Sequence, residues 1–395
     1  MTHKSIVRLL FILVLLFIQG VAIAQTYLPG KSYFGRNNYI EYMAGNLPLI
    51  ISVPHGGALT PSEIPDRTCG DETVTDSYTV NLAREISSAI FNLTGCYPHV
   101  VINNLKRTKL DANRDNTEAA CGNEFADKAW TEFHTYLDSA SAIVTKKSGK
   151  GLYIDLHGHG HAIQRLELGY LLTATQLAYS DDALNTATYI NGNSIKKLIG
   201  SNILNLSHAA LLRGSFSLGT MFSAKGFPSV PSTDDRFPLT GQSYFSGGYN
   251  TERHGSKTTG SIDGIQIECN QDVRFNELAR QDFAAKSAVV FLDYLIKHYF
   301  PKLPETYAKV VGIEETKSQE YRLYPNPFDN FLNVQNSLPA ELRIYNLQGI
   351  LVYSKYIERE ENLDLHQLQN GMYLAVLSWN NIILYKKKLR KMELK

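Results

Sequence analysis

The sequence predicts an α/β domain, a mostly parallel or mixed sheet flanked by helices, followed by a small all-β sandwich. Three observations carry this. Up to about residue 300, short apolar runs ended by Gly, Pro or Asn alternate with stretches of helical apolar spacing. Residues 301–318 change character to a Pro-, Glu- and Lys-containing linker. Beyond the linker, short runs alternate apolar and polar residues between Asn/Gly/Pro turns, the pattern of a sandwich. At 395 residues, 44% hydrophobic and 19% charged, the chain is long enough for a large core and more than one domain. A formal net charge of +1 gives no sign of a nucleic-acid partner.

Lys4 and Arg8 precede an apolar run at 9–18 and the small residues Ala22-Ile-Ala24. This is the layout of a secretory signal peptide, with cleavage expected after Ala24. The run is too short to span a membrane, and no other stretch is apolar for long enough, so no transmembrane segment is expected. No cysteine follows the run, so a lipoprotein anchor is not expected either. In an exported chain the four cysteines, at 69, 96, 121 and 269, permit two disulfides in three pairings. Cys69 and Cys121 both fall in predicted loops, which favours that pair; buried free thiols are the other reading.

Residues 40–53 become almost continuously apolar and read as a core strand ending in Pro54-His-Gly-Gly57. Residues 71–90 shift to helical spacing, with Val80, Leu82, Ala83, Ile86 and Ile90 in one stripe and Asp76 near the helix start. A strand at 97–102 runs into a polar, basic loop at 103–114, and a helix is expected over 125–145. Gly151-Leu-Tyr-Ile-Asp-Leu-His-Gly-His-Gly-His161 follows, a strand over 152–156 with three histidines at alternate positions beyond it. Gly158 and Gly160 are expected to stop that strand and to allow close approach of the backbone. Then come a strand at 166–172, a helical stretch at 194–212, and an irregular segment at 214–261 rich in Gly, Ser, Pro and Thr. Long irregular segments are usually functional or disordered. A strand at 264–269 and a helix at 278–300 close the domain. In the tail, strands are expected at 332–334, 341–345, 350–354, 373–377 and 382–386.

The chemistry gathers at strand ends. Ligands of an α/β sheet bind beyond the carboxyl ends of its strands. His55 and His157 each end an apolar strand and precede a glycine. A catalytic zinc takes three protein ligands and keeps one open position. The acidic group Asp71, Glu72 and Asp76 lies between the two histidines and supplies candidates for the third. Asp155 is suited to hold an imidazole in one tautomer. The other reading of this stretch is a polar, His-rich loop without a metal. Arg107, Asn113 and Arg114 put cationic and amide donors in one loop, suited to a carboxylate or a developing oxyanion. Solvated surface charge is the alternative. Glu268 sits in an otherwise apolar strand, where an unpaired carboxylate is costly and burial raises its pKa toward that of a general base. The alternative is a structural ion pair with Arg274.

Ser52-Val-Pro-His-Gly-Gly57, Arg107 with Asp111-Ala-Asn-Arg114, Asp155-Leu-His157 and Gln266-Ile-Glu268 stand in the order seen in N-formylglutamate amidohydrolases. The chain resembles that family over residues 40–300. The resemblance implies a zinc-carboxypeptidase-like fold and one Zn2+ ion held by His55, Asp76 and His157. Asp76 is preferred to Glu72 because it lies in the Thr-Asp-x-x-x-x-x-Leu stretch. Arg107 would polarise the scissile carbonyl, Asn113 and Arg114 would hold a substrate carboxylate, and Glu268 would be general base and then acid. Family members often carry Ser where Gly56 stands, and neither the His159/His161 repeat nor the 214–261 segment maps onto them. Tyr324-Pro-Asn-Pro-Phe328, Arg343-Ile-Tyr-Asn-Leu-Gln-Gly349, Leu368-Gln-Asn-Gly-Met-Tyr373 and Lys386-Lys-Lys-Leu-Arg-Lys391 resemble the C-terminal sorting domain of type IX secretion cargo. That implies a partner in the type IX machinery, a secreted or cell-surface location, and often loss of the tail.

The expected layout is a signal peptide at 1–24, a catalytic domain at 25–312, and linker plus sorting domain at 313–395. The expected function is a secreted zinc-dependent hydrolase that cleaves an amide bond near an anionic group. N-formylglutamate is a cytoplasmic catabolite, so export points to another substrate: an N-acyl amino acid, a peptide or a peptidoglycan stem. The alternatives are a carboxypeptidase acting on protein C-termini and a non-catalytic binding protein for anionic cell-wall or glycan fragments. Glu268 favours the enzymes.

Overall fold

The computed structural model describes residues 26–70, 72–301, 321–336, 340–346, 350–379 and 382–393. The expected signal peptide, the candidate ligand Asp71 and the linker at 302–318 lie outside the described residues.

Strands β1 (Ser32–Phe34), β2 (Ile40–Met43), β3 (Leu49–Val53), β4 (His99–Asn103), β5 (Gly151–Gly158), β6 (Leu166–Gly169), β7 (Ser229–Val230) and β8 (Ile262–Cys269) form one eight-stranded sheet. Their order is β1-β2-β4-β3-β5-β8-β6-β7. The centre is parallel: β3 pairs β4 and β5, and β5 pairs β8. The flanks turn antiparallel at β1–β2, β2–β4 and β6–β8, so the sheet is mixed.

Every residue of β3, β4 and β8 is buried, as a sheet covered on both faces requires. Alternate residues divide between two cores. Leu49, Ile51, Val53, Leu152 and Ile154 face helices Thr79–Thr94 and Glu277–His298. Ile50, Val101 and Tyr153 face helix Glu124–Ser148 through Phe133, Leu137 and Val144. Local signals start and stop these helices. The Asn123 side chain accepts from the N–H groups of Phe125 and Ala126, and Asn276 caps Glu277–His298 in the same way. Gly95 and Gly149 end two helices in the left-handed conformation.

Two expected elements divide. The run at 40–53 is two strands that do not pair with each other, because β4 lies between β2 and β3. Gly45 in the turn packs on the backbone of Pro98 and His99, where a Cβ would come within 2.4 Å. The helical stretch at 194–212 breaks into Lys196–Ser201 and His208–Arg213. At the break, the Asn202 side chain donates to the carbonyls of Leu198 and Leu206 and accepts from the Leu206 N–H, replacing helical bonds. The segment 214–261 is irregular apart from helices Leu218–Ser223 and Tyr249–His254 and strand β7. Cys69 and Cys121 form a disulfide, while Cys96 and Cys269 are buried thiols. Among the described residues no helix is long and apolar enough to cross a membrane.

The tail forms two antiparallel sheets: β9 (Tyr321–Tyr324), β10 (Phe331–Asn336) and β13 (Glu360–Asp364); and β11 (Ala340–Tyr345), β12 (Leu351–Ile357), β14 (Gly371–Trp379) and β15 (Ile382–Lys391). Leu323, Val334 and Leu363 of the first share a core with Leu342, Ile344 and Leu377 of the second. The sequence pattern did not indicate β9, which is four residues long, or β13, whose one apolar residue is Leu363.

Candidate metal centre

His55 follows β3, and His157 lies near the end of its parallel neighbour β5. Asp76 precedes helix Thr79–Thr94. Its N–H donates to the His55 carbonyl, and its own carbonyl accepts from Thr79. This close docking explains Gly56: a Cβ there would stand 2.3 Å from Thr79 Oγ1. Candidate ligand atoms of His55, Asp76 and His157 all lie within 4.8 Å of one another, and all three residues are buried. Asp76 Oδ2 is 3.5 Å from His55 Nδ1 and 3.2 Å from His157 Nδ1, and it accepts from the Gly158 N–H. Glu72, the alternative third ligand, is outside this group. Its carboxylate accepts from the Val74 N–H and lies 4.0 Å from Arg107.

Both imidazoles are held from behind. His55 Nε2 donates to Asp111 Oδ1 at 2.6 Å, and His157 Nε2 donates to Asp155 Oδ2 at 2.9 Å. Each Nδ1 is thereby turned toward Asp76. The Nδ1 of His55 is buried and has no hydrogen-bond partner among the described residues. An orphaned, buried nitrogen facing a carboxylate and a second imidazole fits a cation, and two histidines with one carboxylate are a zinc donor set. The electrostatics agree. Burial opposes a charged ring at His157, yet Asp155, Asp76 and Glu268 outweigh it and raise its pKa well above the ordinary value. Burial likewise opposes charge on Asp76, Asp111 and Asp155, but their histidine partners hold all three below the usual carboxylate range. The cluster is rich in negative charge and calls for a positive one.

The β5–β8 register sets Glu268 beside His157, with Oε1 4.0 Å from Nδ1. Burial, then the charges of Asp76 and Glu167, push the Glu268 carboxyl up to about 8 against the pull of His157 and Gln266. The alternative ion pair with Arg274 is not formed. Arg274 instead donates to the carbonyls of Cys269, Ser77 and His159, tying three segments behind the site. It lies against Gly158, where a Cβ would come within 2.3 Å of its Cζ. Gly160 shows no such crowding, and β5 runs on through Gly158 rather than stopping before it.

Arg107, Asn113 and Arg114 line the same cleft, of about 400 Å³. Arg107 Nε donates to Asp111 Oδ2 at 3.0 Å. Asn113 lies 3.4 Å from His157 Nε2 and accepts from the Asn250 N–H. Arg114 donates to Glu118 and to the Asn113 carbonyl. His159, His161 and Glu167 form a second group of possible ligands in the cleft. Both ring nitrogens of His159 are engaged, Nε2 with the Arg165 carbonyl and Nδ1 with the His161 N–H, so that residue braces the loop.

Two residues of the site carried no sequence signal. Asn250, in a short helix of the irregular segment, bonds Asn113 and Asp155. Glu167 looked like one polar residue in a strand. Asp111 stood in a quoted motif, but nothing in the sequence tied it to His55.

Among solved structures, the chain is similar to N-formylglutamate amidohydrolase from Ralstonia eutropha, at 12% identity and a TM-score of 0.39 over 67% of this chain and 98% of that one. It is similar to N-acetylmuramyl-L-alanine amidase from Mycobacterium smegmatis at 11% identity and a TM-score of 0.29, over 62% of this chain and 96% of that one. It is also similar to succinylglutamate desuccinylase from Chromobacterium violaceum at 9% identity and a TM-score of 0.28, over 76% and 86% of the two chains. No curated protein matches the chain. Residues 322–391 match the family described as the secretion system C-terminal sorting domain.

Proposed function

We propose that the protein is a secreted, zinc-dependent hydrolase that cleaves an amide bond near an anionic group, with residues 25–312 as the catalytic unit. One observation carries the reading. Two buried imidazoles, each fixed by its own aspartate, turn their Nδ1 atoms toward Asp76 while the carboxyl of Glu268 stands beside them. His55, Asp76 and His157 would hold one zinc. Zinc in such a site polarises a carbonyl and lowers the pKa of a water.

The protein's own groups do the rest. Glu268 takes a proton from the attacking water on a carboxylate oxygen. It then hands that proton to the leaving nitrogen as the C–N bond breaks. Arg107 Nη2 is without a partner among the described residues and donates to the carbonyl oxygen as negative charge develops there. Asn113 and Arg114 hold a substrate carboxylate. A buried carboxyl set beside the histidine pair favours an enzyme over a binding protein, since ligand binding alone has no need of a titratable group there.

The sorting-domain match supports export, with the tail engaging the type IX machinery. The test is metal content together with hydrolysis of N-acyl amino acids, peptides and peptidoglycan stems. One zinc per chain and chelator-sensitive amide cleavage are expected. Zinc-loaded protein that binds such ligands and cleaves none is instead a binding protein. Release of C-terminal residues from whole proteins, with small amides untouched, is the carboxypeptidase outcome.

A further inference from the structure

His161 lines the same cleft as Arg107 and Arg114 and is held in one orientation. His161 Nδ1 lies 2.8 Å from Glu167 Oε1. A carboxylate only accepts, so in the neutral ring the proton is on Nδ1 and Nε2 carries the lone pair. The other oxygen, Glu167 Oε2, accepts from the Phe245 N–H at 2.9 Å, which fixes the carboxylate. The Phe245 ring stacks on His161 with centroids 4.8 Å apart and planes at 19°. The imidazole is therefore fixed in tautomer, angle and plane. Its side chain stays 23% exposed, it lines the cleft, and Nε2 has no partner among the described residues. Glu167 is fully buried and pairs directly with Glu268 across β6 and β8, so both carboxylates project from the same face of the sheet.

The topology gives the direction. Along the strand ends, the order runs from the Arg107–Arg114 loop and β3 with His55, through β5 with His157 and β8 with Glu268, to β6 with Glu167. A substrate whose carboxylate sits at the arginines and whose carbonyl sits at the metal group extends its acyl side toward His161.

We propose that His161 is a substrate-positioning residue whose Nε2 accepts a hydrogen bond from an N–H or O–H donor on the acyl side of the scissile amide. The inference rests on the hydrolase reading for the orientation of the substrate. It narrows the substrate class to aminoacyl or peptidyl amides of a carboxylate-bearing amine, and away from simple formyl or acetyl amides.

The test uses three amides of glutamate that differ only on the acyl side: alanyl, with a donor; propanoyl, with neither; and 2-methoxypropanoyl, with an acceptor. Affinities are measured by calorimetry on the full-length Glu268→Gln protein as isolated, and kcat/KM on the parent enzyme. The alanyl amide should bind about tenfold tighter than the propanoyl amide. Glu167→Gln is the decisive change. Gln keeps an oxygen for the Phe245 N–H and offers an NH2 to His161 Nδ1, which moves the ring proton to Nε2. That variant should reverse the order, with the methoxy amide binding best. A merely structural role for Glu167 would weaken all three amides alike. His161→Phe keeps the stack and should level the three. Equal affinities in the parent, no binding of any amide, or an unchanged order in Glu167→Gln overturns the proposal. If the three rank as stated but none is cleaved by the parent, the hydrolase reading fails and this one stands. If all are cleaved without discrimination, the reverse holds.

Discussion

The rings of His55 and His157 meet edge-on with centroids 4.8 Å apart, and each is pinned on its far side by a buried aspartate. The arrangement predicts which changes remove the metal and which only loosen it. His157→Ala should abolish stoichiometric zinc, and Glu72→Ala should leave it nearly intact. Asp155→Asn and Asp111→Asn keep a hydrogen-bonding group of the same shape behind the imidazoles but lose the charge. Each should weaken zinc about 10–100-fold, by competition with a chelator. Full zinc retention in His157→Ala would remove this residue from the ligand set.

Glu268→Gln should bind zinc and substrate while losing turnover by about 10²–10⁴-fold. The Gln266 amide that now donates to Oε1 has an acceptor in either case, so the fold is not at risk. Steady-state rates and zinc content on the same preparation decide it. A variant that turns over normally on the best substrate found would end the general-base assignment.

Arg114 should fail differently. Its Nε and one Nη are tied to Glu118 and the Asn113 carbonyl, which holds the guanidinium at the cleft wall rather than at the metal group. A group that grips the substrate carboxylate in both ground and transition states contributes uniform binding. Arg114→Ala should raise KM for carboxylate-bearing substrates and leave kcat within a few-fold. A large drop in kcat with KM unchanged would contradict that role.

Strand-end histidines were legible because the sheet physics that buries β3 and β5 also projects whatever follows them into the ligand crevice. Asp155 was legible for a related reason, since it stands two residues before His157 on the same face of one strand. The preference for Asp76 over Glu72 came from the resemblance; Asp76 lies in one cluster with His55 and His157, and Glu72 lies outside it. The rest depends on long-range contacts. Asp111 reaches His55, and Glu167 reaches both His161 and the Phe245 N–H, across loops whose course no periodicity specifies. The run at 40–53 misled because hydrophobicity reports burial and is silent about a turn within a buried stretch. Asn202 broke a helical pattern by making bonds that the apolar stripe does not encode.

Two buried histidines away from the site predict acid sensitivity. Burial lowers His99 to about 3 and His134 to about 2. Their folded-state pKa values are thus below the unfolded value of about 6.5, so the unfolded chain binds protons that the native state refuses. Stability is fully present above about pH 6.5 and is lost as pH falls below it. Each group costs up to about 1.4 kcal/mol per pH unit. Asp76, Asp111 and Asp155 add their losses only below the carboxylate range. Asp263, raised to about 6 by burial, and Glu268, raised to about 8, instead gain stability as the pH falls. The His99 contribution is therefore read from the difference between parent and His99→Gln between about pH 6.5 and 4.5. Urea midpoints across that interval should fall more steeply in the parent than in His99→Gln. Identical slopes would show that His99 does not contribute.

The tail should separate from the α/β unit without unfolding it. Among the described residues, the two cores of the α/β unit end at Phe300, and the third core takes all its members from Leu323 onward. Each sandwich sheet buries one face against the other, so the tail supplies its own hydrophobic stabilisation. The disulfide Cys69–Cys121 also lies wholly within the α/β unit. Residues 25–312 expressed alone should therefore unfold in one cooperative thermal transition and keep zinc binding and any activity. The full chain should show a second transition that belongs to the tail. A 25–312 fragment that is insoluble or melts without cooperativity, while the full chain does not, would show that the boundary or the independence is wrong.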